Sequence, residues 1–487
     1  MLPIRCTLES KSVSLFNPRQ FIKETFVYGL ATVVPRVLNF LLVPLHTQTL
    51  PVEGYAENTA FYVYAAFFNI LLTYGMETSF FRFFSQSKNS NRVVSTATIT
   101  LAVTTLLIFG GLFLQADNIA RLLGMAPHHF YLLLGVLLCD TLVVLPFAYL
   151  RATRKASKFT FLKLLNVGVY VTLNVLFLWW LPHQGTSLPW GTDTVQYVFI
   201  ANLCASALVL LILAPFYFRL SWVWHAGLLR KMLRYGAPIM LAGIAFVVNE
   251  NLDKLLIRYF IDDATMGAYS GCYKLAVFMT LFVQAFRLGA EPFFFNYAKQ
   301  QDAPQVYALI MKYFVLVGGL LLLVVGVSIE PLKEALIRRP EYWMAIDIVP
   351  IVLLANLFLG IYHNLSVWYK LTDRTSFGMY ISLAAALATI VLNIGLVPRI
   401  GFIGAAWATL FAYGGMALAS YVLGRKYYPI PYALGRILGY LLLSIGLCAT
   451  HWTLFPGQWG VGALFVFVFL SISFLMEQRE LKQLFRL

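Results

Sequence analysis

Acidic and basic residues lie deep inside several long apolar stretches of this sequence. A charge in hydrocarbon is costly, so an ionisable residue in such a stretch is a functional hypothesis by default. Lysine and arginine there could hold an anionic group such as a phosphate through charge-assisted hydrogen bonds. Carboxylates could exchange a proton or a cation. The deep bases are Arg36, Arg82, Lys254, Arg258, Lys274 and Arg287, and the deep acids are Glu77, Asp140, Glu250, Asp253 and Glu291.

The stretches that contain these charges predict membrane-spanning helices. The chain has 487 residues, of which 60% are hydrophobic and 12% charged, whereas soluble domains average about 25% charged. Runs of about 20 apolar residues are long enough to cross a bilayer as helices. We therefore predict an all-α integral membrane protein with about fourteen transmembrane helices. The predicted runs are 24–46, 57–84, 93–115, 127–150, 159–181, 194–218, 235–261, 264–292, 305–329, 344–370, 375–397, 401–424, 432–454 and 459–476.

Motifs for enzymatic chemistry are missing from the sequence. No phosphate-binding G-x-x-x-x-G-K-[ST] loop and no H-E-x-x-H motif occur. The cysteines are scattered singly, and four of the five lie in apolar runs, which predicts neither disulfides nor a metal site. We expect no cofactor and no catalytic residues, and interpret the chain as a transporter driven by a gradient or by substrate supply.

Basic residues concentrate on alternate connections between the runs, for example near Arg151, Arg219 and Lys370. The intervening loops hold only Arg121, Lys333, Arg338, Arg339 and Arg399. The positive-inside rule then predicts that both termini are cytoplasmic. Orientation and attraction to anionic lipid account for the net charge of +15, so no nucleic-acid partner is expected.

Two halves of the chain resemble each other. GMETSFFRFFSQ at 75–86 is echoed by GAEPFFFNYAKQ at 289–300. Six helices per half is an even number, so the halves are parallel repeats, with a substrate site expected between them near the membrane midplane. The predicted division is a cytoplasmic tail at 1–22, an N-lobe at 23–220, an amphipathic linker at 221–234, a C-lobe at 235–428, and two further helices with a cytoplasmic tail at 429–487.

The deep charges allow two interpretations. Arg36, Lys254 and Lys274 are interpreted as bases that line a cavity, whereas Asp140 could relay protons or be a hydrogen-bonded core residue. Near the membrane interface, Arg82 could instead extend to the headgroups, as could Lys163 and Lys312. The alternative interpretation is that these charges form ion pairs with residues on the same helix. The candidate ion pairs are Glu77–Arg82, Glu250–Lys254 and Arg287–Glu291.

Three motifs resemble the polysaccharide (O-antigen, Wzx-type) flippase family of the multidrug/oligosaccharidyl-lipid/polysaccharide exporter superfamily. They are GMETSFFRF at 75–83, LDK at 252–254 and GAYSGCYKL at 267–275, and the resemblance covers about residues 20–430. It implies a V-shaped bundle with a cationic cavity that alternates between inward and outward openings. By position, the cavity bases would be Arg36, Arg82, Lys254, Lys274 and Arg287.

The resemblance also implies a function in polysaccharide or lipopolysaccharide biosynthesis. Undecaprenyl-pyrophosphate-linked oligosaccharide would move from the cytoplasmic to the periplasmic leaflet of a bacterial inner membrane, with coupling to H⁺ or Na⁺. It leaves open whether the protein acts beside a polysaccharide polymerase. A multidrug extruder-type antiporter and a lipid II flippase are the alternatives. Surplus deep bases disfavour the extruder, because that class exports cations.

Overall fold

The computed structural model describes residues 33–87, 89–185 and 191–484, which form helices and connections without a strand. Within these ranges, 13 helices are long and apolar enough to cross a membrane, and each coincides with a predicted run. The remaining run, 24–46, lies partly outside the described residues. The predicted all-α membrane fold is therefore confirmed. The spanning helices are α2 (Val52–Gln86), α3 (Ser90–Leu114), α4 (Pro127–Ala152), α5 (Ala156–His183), α6 (Thr194–Phe218), α7 (Ala226–Phe260), α8 (Asp263–Tyr297), α9 (Ala303–Val327), α10 (Ile348–Leu371), α11 (Ser376–Ile400), α12 (Phe402–Tyr427), α13 (Leu434–Leu454) and α14 (Trp459–Leu484).

Polar side chains cap the N-termini of several helices. The side chain of Asn89 accepts a hydrogen bond from the backbone N–H of Arg92 at the start of α3. Asp193 and Asp262 do the same for α6 and α8. These carboxylate and amide oxygens satisfy N–H groups that have no partner within the helix. Short polar connections therefore separate long apolar helices.

Two helices that face both lobes are interrupted. In α2, Tyr74 and Gly75 adopt positive φ values of 38° and 73°, which divides the helix into Val52–Thr73 and Met76–Gln86. Gly75 is required there because a Cβ would overlap the carbonyl oxygen of Gly236 in α7. In α8, a 3₁₀ turn at Lys274–Ala276 separates Asp263–Tyr273 from Val277–Tyr297. The helix preceding α2, named α1, comprises residues 33–41 and Val43–Thr49.

Helix packing repeats between the two halves. In the first half α4 packs against α2 and α6, and α6 packs against α5. In the second half α10 packs against α8 and α12, and α12 packs against α11. The two halves therefore share one pattern of helix packing. Residues 219–225 between α6 and α7 are non-helical, and α7 begins at Ala226, within the predicted linker at 221–234.

The last two helices form an addition to the C-lobe. Both α13 and α14 pack against α9. Lys312 of α9 donates a 2.5 Å hydrogen bond to buried Glu477 of α14, and Tyr440 of α13 bonds to the same carboxylate at 2.6 Å. Lys312 is therefore a buried ion-pair partner, and the prediction that it extends to the headgroups is wrong. The predicted tail at 1–22 lies outside the described residues.

Candidate functional site

The last segments of α2 and α8 each contain a carboxylate that forms an ion pair with a neighbouring helix. Glu77 of α2 forms an ion pair with Arg151 at the end of α4. Glu291 of α8 pairs with Lys370 at the end of α10, with 2.6 Å between Oε1 and Nζ. Both pairs lie beside the turns at 153–155 and 372–375, and we name this end of the bundle the basic end. One ion pair thus connects α2 to α4 in the N-lobe, and a corresponding ion pair connects α8 to α10 in the C-lobe.

These partners correct the pairings expected within single helices. Glu77 pairs across to α4 rather than with Arg82, and Glu291 pairs across to α10 rather than with Arg287. The guanidinium of Arg82 instead lies 4.2 Å from the ring centroid of Tyr235. A contact between two helices satisfies each carboxylate while it also holds the helices together, which pairing along one helix would not do.

The interior of α7 holds a second group of charges. Lys254 Nζ lies 3.0 Å from Asp253 Oδ1, and Tyr269 donates a 2.8 Å hydrogen bond to Asp253 Oδ2. Lys254 also donates to the backbone carbonyl of Glu250, whose carboxylate accepts a 2.7 Å hydrogen bond from Tyr413. Lys254 therefore pairs with Asp253 and not with Glu250, the partner that the alternative interpretation gave it. Lys254 and Asp253 are both buried, so Lys254 is a neutralised interior base.

Arg258 is paired too, at the end of the bundle opposite the basic end. Its Nε lies 2.6 Å from Asp263 Oδ1, and Nη2 donates to the carbonyl oxygen of Gly124 in the N-lobe. Arg258 therefore connects the two lobes. This position explains its charge without a bound substrate.

Four deep bases have no carboxylate partner among the residues that the structure describes. They are Arg36, Arg82, Lys274 and Arg287. The side chains of Arg36, Arg82 and Lys274 are exposed, and that of Arg287 is half-buried. Arg36 of α1 and Arg287 of α8 are close enough for their charges to repel. The two helices touch through Phe40 and Phe278, whose ring centroids are 5.3 Å apart. Bases without a carboxylate partner among the described residues thus lie near the contact between α1 and α8.

A polar cavity of about 500 Å³ lies within the N-lobe. Asp140 and Lys163 line it together with Glu77 and Arg151. Asp140 is therefore near a base on the neighbouring α5, a partner that the sequence did not indicate. Lys163 is likewise a cavity residue, although sequence reasoning placed it as an interfacial anchor. The other polar lining residues are Asn69, Thr73, Asn166, Asn202 and Ser206.

The C-lobe contains a corresponding cavity of about 280 Å³. Glu250, Arg287 and Glu291 line it, with His363 and Lys370. The two cavities share a plan, because each includes the carboxylate of α2 or α8 and its partner base on α4 or α10. His363 is half-buried at this cavity.

One cluster was missed by sequence reasoning. His128 and His129 at the start of α4 lie against Asp193, and His129 also contacts Glu57. The adjacent histidines at 128–129 were the available signal. Their partners lie 65 and 72 residues away along the chain, so only the fold brings them together.

Fold and charge arrangement together define a multi-pass membrane protein in which two halves share one helix-packing pattern. The family model described as "Polysaccharide biosynthesis protein" matches residues 21–294, more than half of the chain, so the protein belongs to this family. A second family model, MatE, matches residues 238–394. The chain is a multi-pass membrane protein, with 13 helices among the described residues that are long and apolar enough to cross a membrane.

Individual relatives are distant. The "Lsg locus putative protein 1" of Haemophilus influenzae is 23% identical over 290 residues, which is 57% of this chain and 67% of the relative. The solved structure "Lipid II flippase MurJ, inward closed conformation" has a TM-score of 0.71 at 16% identity and covers 92% of this chain and 99% of its own. An inward-facing multidrug resistance MATE family transporter of the MOP superfamily has a TM-score of 0.60 at 12% identity, covering 85% and 98%. Likeness at these identities establishes the fold.

Proposed function

We propose that this protein moves undecaprenyl-pyrophosphate-linked oligosaccharide from the cytoplasmic to the periplasmic leaflet of a bacterial inner membrane. The observation behind the proposal is a set of deep bases, Arg36, Lys274 and Arg287, that have no carboxylate partner among the described residues and lie near the α1–α8 contact. A pyrophosphate has two or more negative charges that cannot cross hydrocarbon unaided. Lysine and arginine in a low-dielectric cleft bind such a group strongly, and arginine does so with two parallel hydrogen bonds.

The balance of charge among the deep residues supports an anionic substrate. A transporter of cationic drugs needs surplus carboxylate, but the deep acids Glu77, Asp253 and Glu291 are already paired with bases. The bases, by contrast, remain in excess. This excess favours an anionic lipid headgroup over a cationic drug.

Ion coupling is assigned to the two cavities. Asp140 faces the N-lobe cavity, and Glu250 faces the C-lobe cavity with a tyrosine hydroxyl as its partner. A carboxylate that binds H⁺ or Na⁺ more tightly in one conformation would shift the equilibrium between the two openings. Asp253 has no such freedom because Lys254 neutralises it.

Reconstitution tests the proposal. Purified protein in vesicles that contain a fluorescent undecaprenyl-pyrophosphate-linked oligosaccharide is expected to expose the label to an external quencher. Vesicles that contain lipid II, and vesicles loaded with a cationic dye, serve as the two comparisons. Movement of lipid II alone would favour the lipid II flippase, and movement of the dye alone would favour the extruder.

A further inference from the structure

The outer face of the N-lobe, at the end opposite the basic end, holds two histidines and a carboxylate around one point. Asp193 Oδ2 lies 3.3 Å from His128 Nε2 and 2.9 Å from His129 Nε2. The two imidazole ring centroids are 4.1 Å apart. The three ligand atoms all lie within 4.8 Å of one another. Ligand atoms about 2.1 Å from a tetrahedral ion lie about 3.4 Å apart, which is close to these separations.

The contact between His129 and Asp193 does not have the geometry of a hydrogen bond. His129 is 1% exposed, yet its Nε2 makes no hydrogen bond to any described residue, although the Asp193 oxygen lies 2.9 Å away. When two atoms bind the same ion, the lone pair of each atom points at the ion and not at the other atom. The two atoms therefore lack the direct alignment of a hydrogen bond. A buried imidazole nitrogen that is close to a carboxylate but not directed at it has the geometry expected where both atoms contact one ion to the side of the line that joins them.

The Nδ1 nitrogen of His129 contacts a carboxylate, as the second ring nitrogen of a metal-binding histidine commonly does. Its Nδ1 lies 2.6 Å from Glu57 Oε1, and the same oxygen accepts a hydrogen bond from the backbone N–H of Ala126. When Nδ1–H donates to a carboxylate, Nε2 is left as the ligand atom, an arrangement that raises its basicity. Glu57 thus fixes both the tautomer and the orientation of the ring.

The Asp193 carboxylate also has one oxygen in position to bind an ion. Its Oδ1 caps α6 by accepting a hydrogen bond from the Val195 N–H, which leaves Oδ2 directed toward the histidines.

We propose that His128, His129 and Asp193 form a binding site for a divalent transition metal such as Zn²⁺, with Glu57 as the residue that orients His129. Imidazole nitrogen with carboxylate oxygen suits Zn²⁺, Co²⁺ or Ni²⁺ rather than Ca²⁺ or Mg²⁺, which take oxygen ligands. The ion would connect α4 to the start of α6, and Glu57 would connect it to α2. The side chains of His128 and Asp193 are 52% and 38% exposed, so an ion can enter from solvent. No short motif marks this site in the sequence, because its residues lie 65 and 72 positions apart along the chain.

The test measures binding of Zn²⁺ alone to the full chain. Tag-free protein in detergent is stripped with a chelator, desalted and titrated against a competing zinc indicator. We expect one ion per chain, a higher Tm with zinc, and, with Co²⁺, the intense visible absorption of a tetrahedral ion. Loss of an orienting carboxylate weakens metal affinity by about 10–100-fold, which is the effect expected for Glu57→Gln. His128→Ala and Asp193→Asn should weaken it at least as much.

These variants are chosen to fold. His128 is exposed, and asparagine caps a helix about as well as aspartate does. His183→Ala is the matched control, because this exposed histidine has no partner among the cluster and should bind zinc as the wild type does. The site is ruled out if the wild type takes up no zinc; His129 would then be an imidazolium between two carboxylates. Equal zinc affinity in wild type, His128→Ala and Asp193→Asn would overturn it as well.

Discussion

At the scale of single residues, the deep bases differ in whether a carboxylate lies within reach. Lys254 is buried against Asp253, and Arg258 is paired with Asp263. Arg36 and Arg287 repel each other across the contact between the lobes. Repulsion between unpaired bases costs free energy in the protein alone and is relieved when an anion binds between them. This difference separates structural bases from candidate ligand-binding bases.

Replacing Arg287 with alanine should weaken binding of the pyrophosphate lipid. A hydrogen bond to a charged group contributes about 1.5–3 kcal/mol, which corresponds to roughly 10–100-fold in affinity. Titration of the detergent-purified protein with undecaprenyl pyrophosphate measures the change, and Arg36→Ala should behave alike. Arg399→Ala, an exposed base at the opposite end, is the control that should bind normally. Unchanged affinity in the Arg36 and Arg287 variants would remove them from the site.

Lys254→Met should destabilise the fold rather than weaken substrate binding. Asp253 is 2% exposed, and removal of its partner leaves a buried, unpaired charge at a cost of about 3–5 kcal/mol. The double variant with Asp253→Asn removes both charges and should recover most of that stability. Thermal unfolding in detergent compares the three chains. A Lys254→Met variant as stable as wild type would show that the ion pair is unimportant for folding.

At the scale of helices, the ion pairs explain why α2 and α8 end in charged segments. Glu77–Arg151 and Glu291–Lys370 fasten equivalent helices at the basic end. The side chains of both pairs are partly exposed, so each contributes about 1 kcal/mol or less. Their value lies in holding α2 to α4, and α8 to α10, in a fixed register beside each cavity.

Charge reversal tests that role. Glu77→Arg and Arg151→Glu should each lower the Tm and reduce transport, and the double reversal should restore both because the attraction returns. Glu291→Lys with Lys370→Glu should behave identically in the C-lobe. The control combines Glu77→Arg with Lys370→Glu, which reverses charges in different lobes and cannot re-form a pair. Restoration in this mismatched variant would mean that net charge, rather than pairing, is what matters.

The sequence predicted the helices much better than it predicted these partners. Long apolar runs identify spans because any such run must form a helix in lipid. Spacing on one helix, however, says nothing about neighbouring helices, so Glu77 was expected beside Arg82 rather than Arg151. RATRKASKF at 151–159 and KLTDRTSFG at 370–378 resemble each other, and they begin with the two bases that the fold brings to Glu77 and Glu291.

At the scale of the whole molecule, the lobes are joined at the end opposite the basic end. Tyr342 of the C-lobe donates a 3.0 Å hydrogen bond to the carbonyl oxygen of Leu50, and Thr47 donates one of 3.0 Å to that of Leu336. Gly267 of α8 lies against Val52 of α2, where a Cβ would overlap the carbonyl oxygen. A transporter that alternates between openings must break these contacts to release substrate on that side.

Gly267→Ala should therefore favour the conformation that is open at this end. Native Cys272, which is fully buried nearby, can report the opening in a chain whose other cysteines are replaced by alanine. We expect faster labelling of Cys272 by a membrane-impermeant maleimide added from outside. Gly414→Ala, where a Cβ meets no atom within 4 Å, is the control. Equal labelling rates in both folded variants would show that closure does not depend on this contact.

The most direct test of the account compares translocation of undecaprenyl-pyrophosphate-linked oligosaccharide in vesicles by three proteins. These are the wild type, a variant with Arg36, Lys274 and Arg287 replaced by glutamine, and the Arg399→Ala control. We expect the glutamine variant to fold and insert but to lose translocation, while the control moves substrate at the wild-type rate. Translocation at the wild-type rate by the glutamine variant would contradict the claim that unpaired bases between the lobes hold the pyrophosphate.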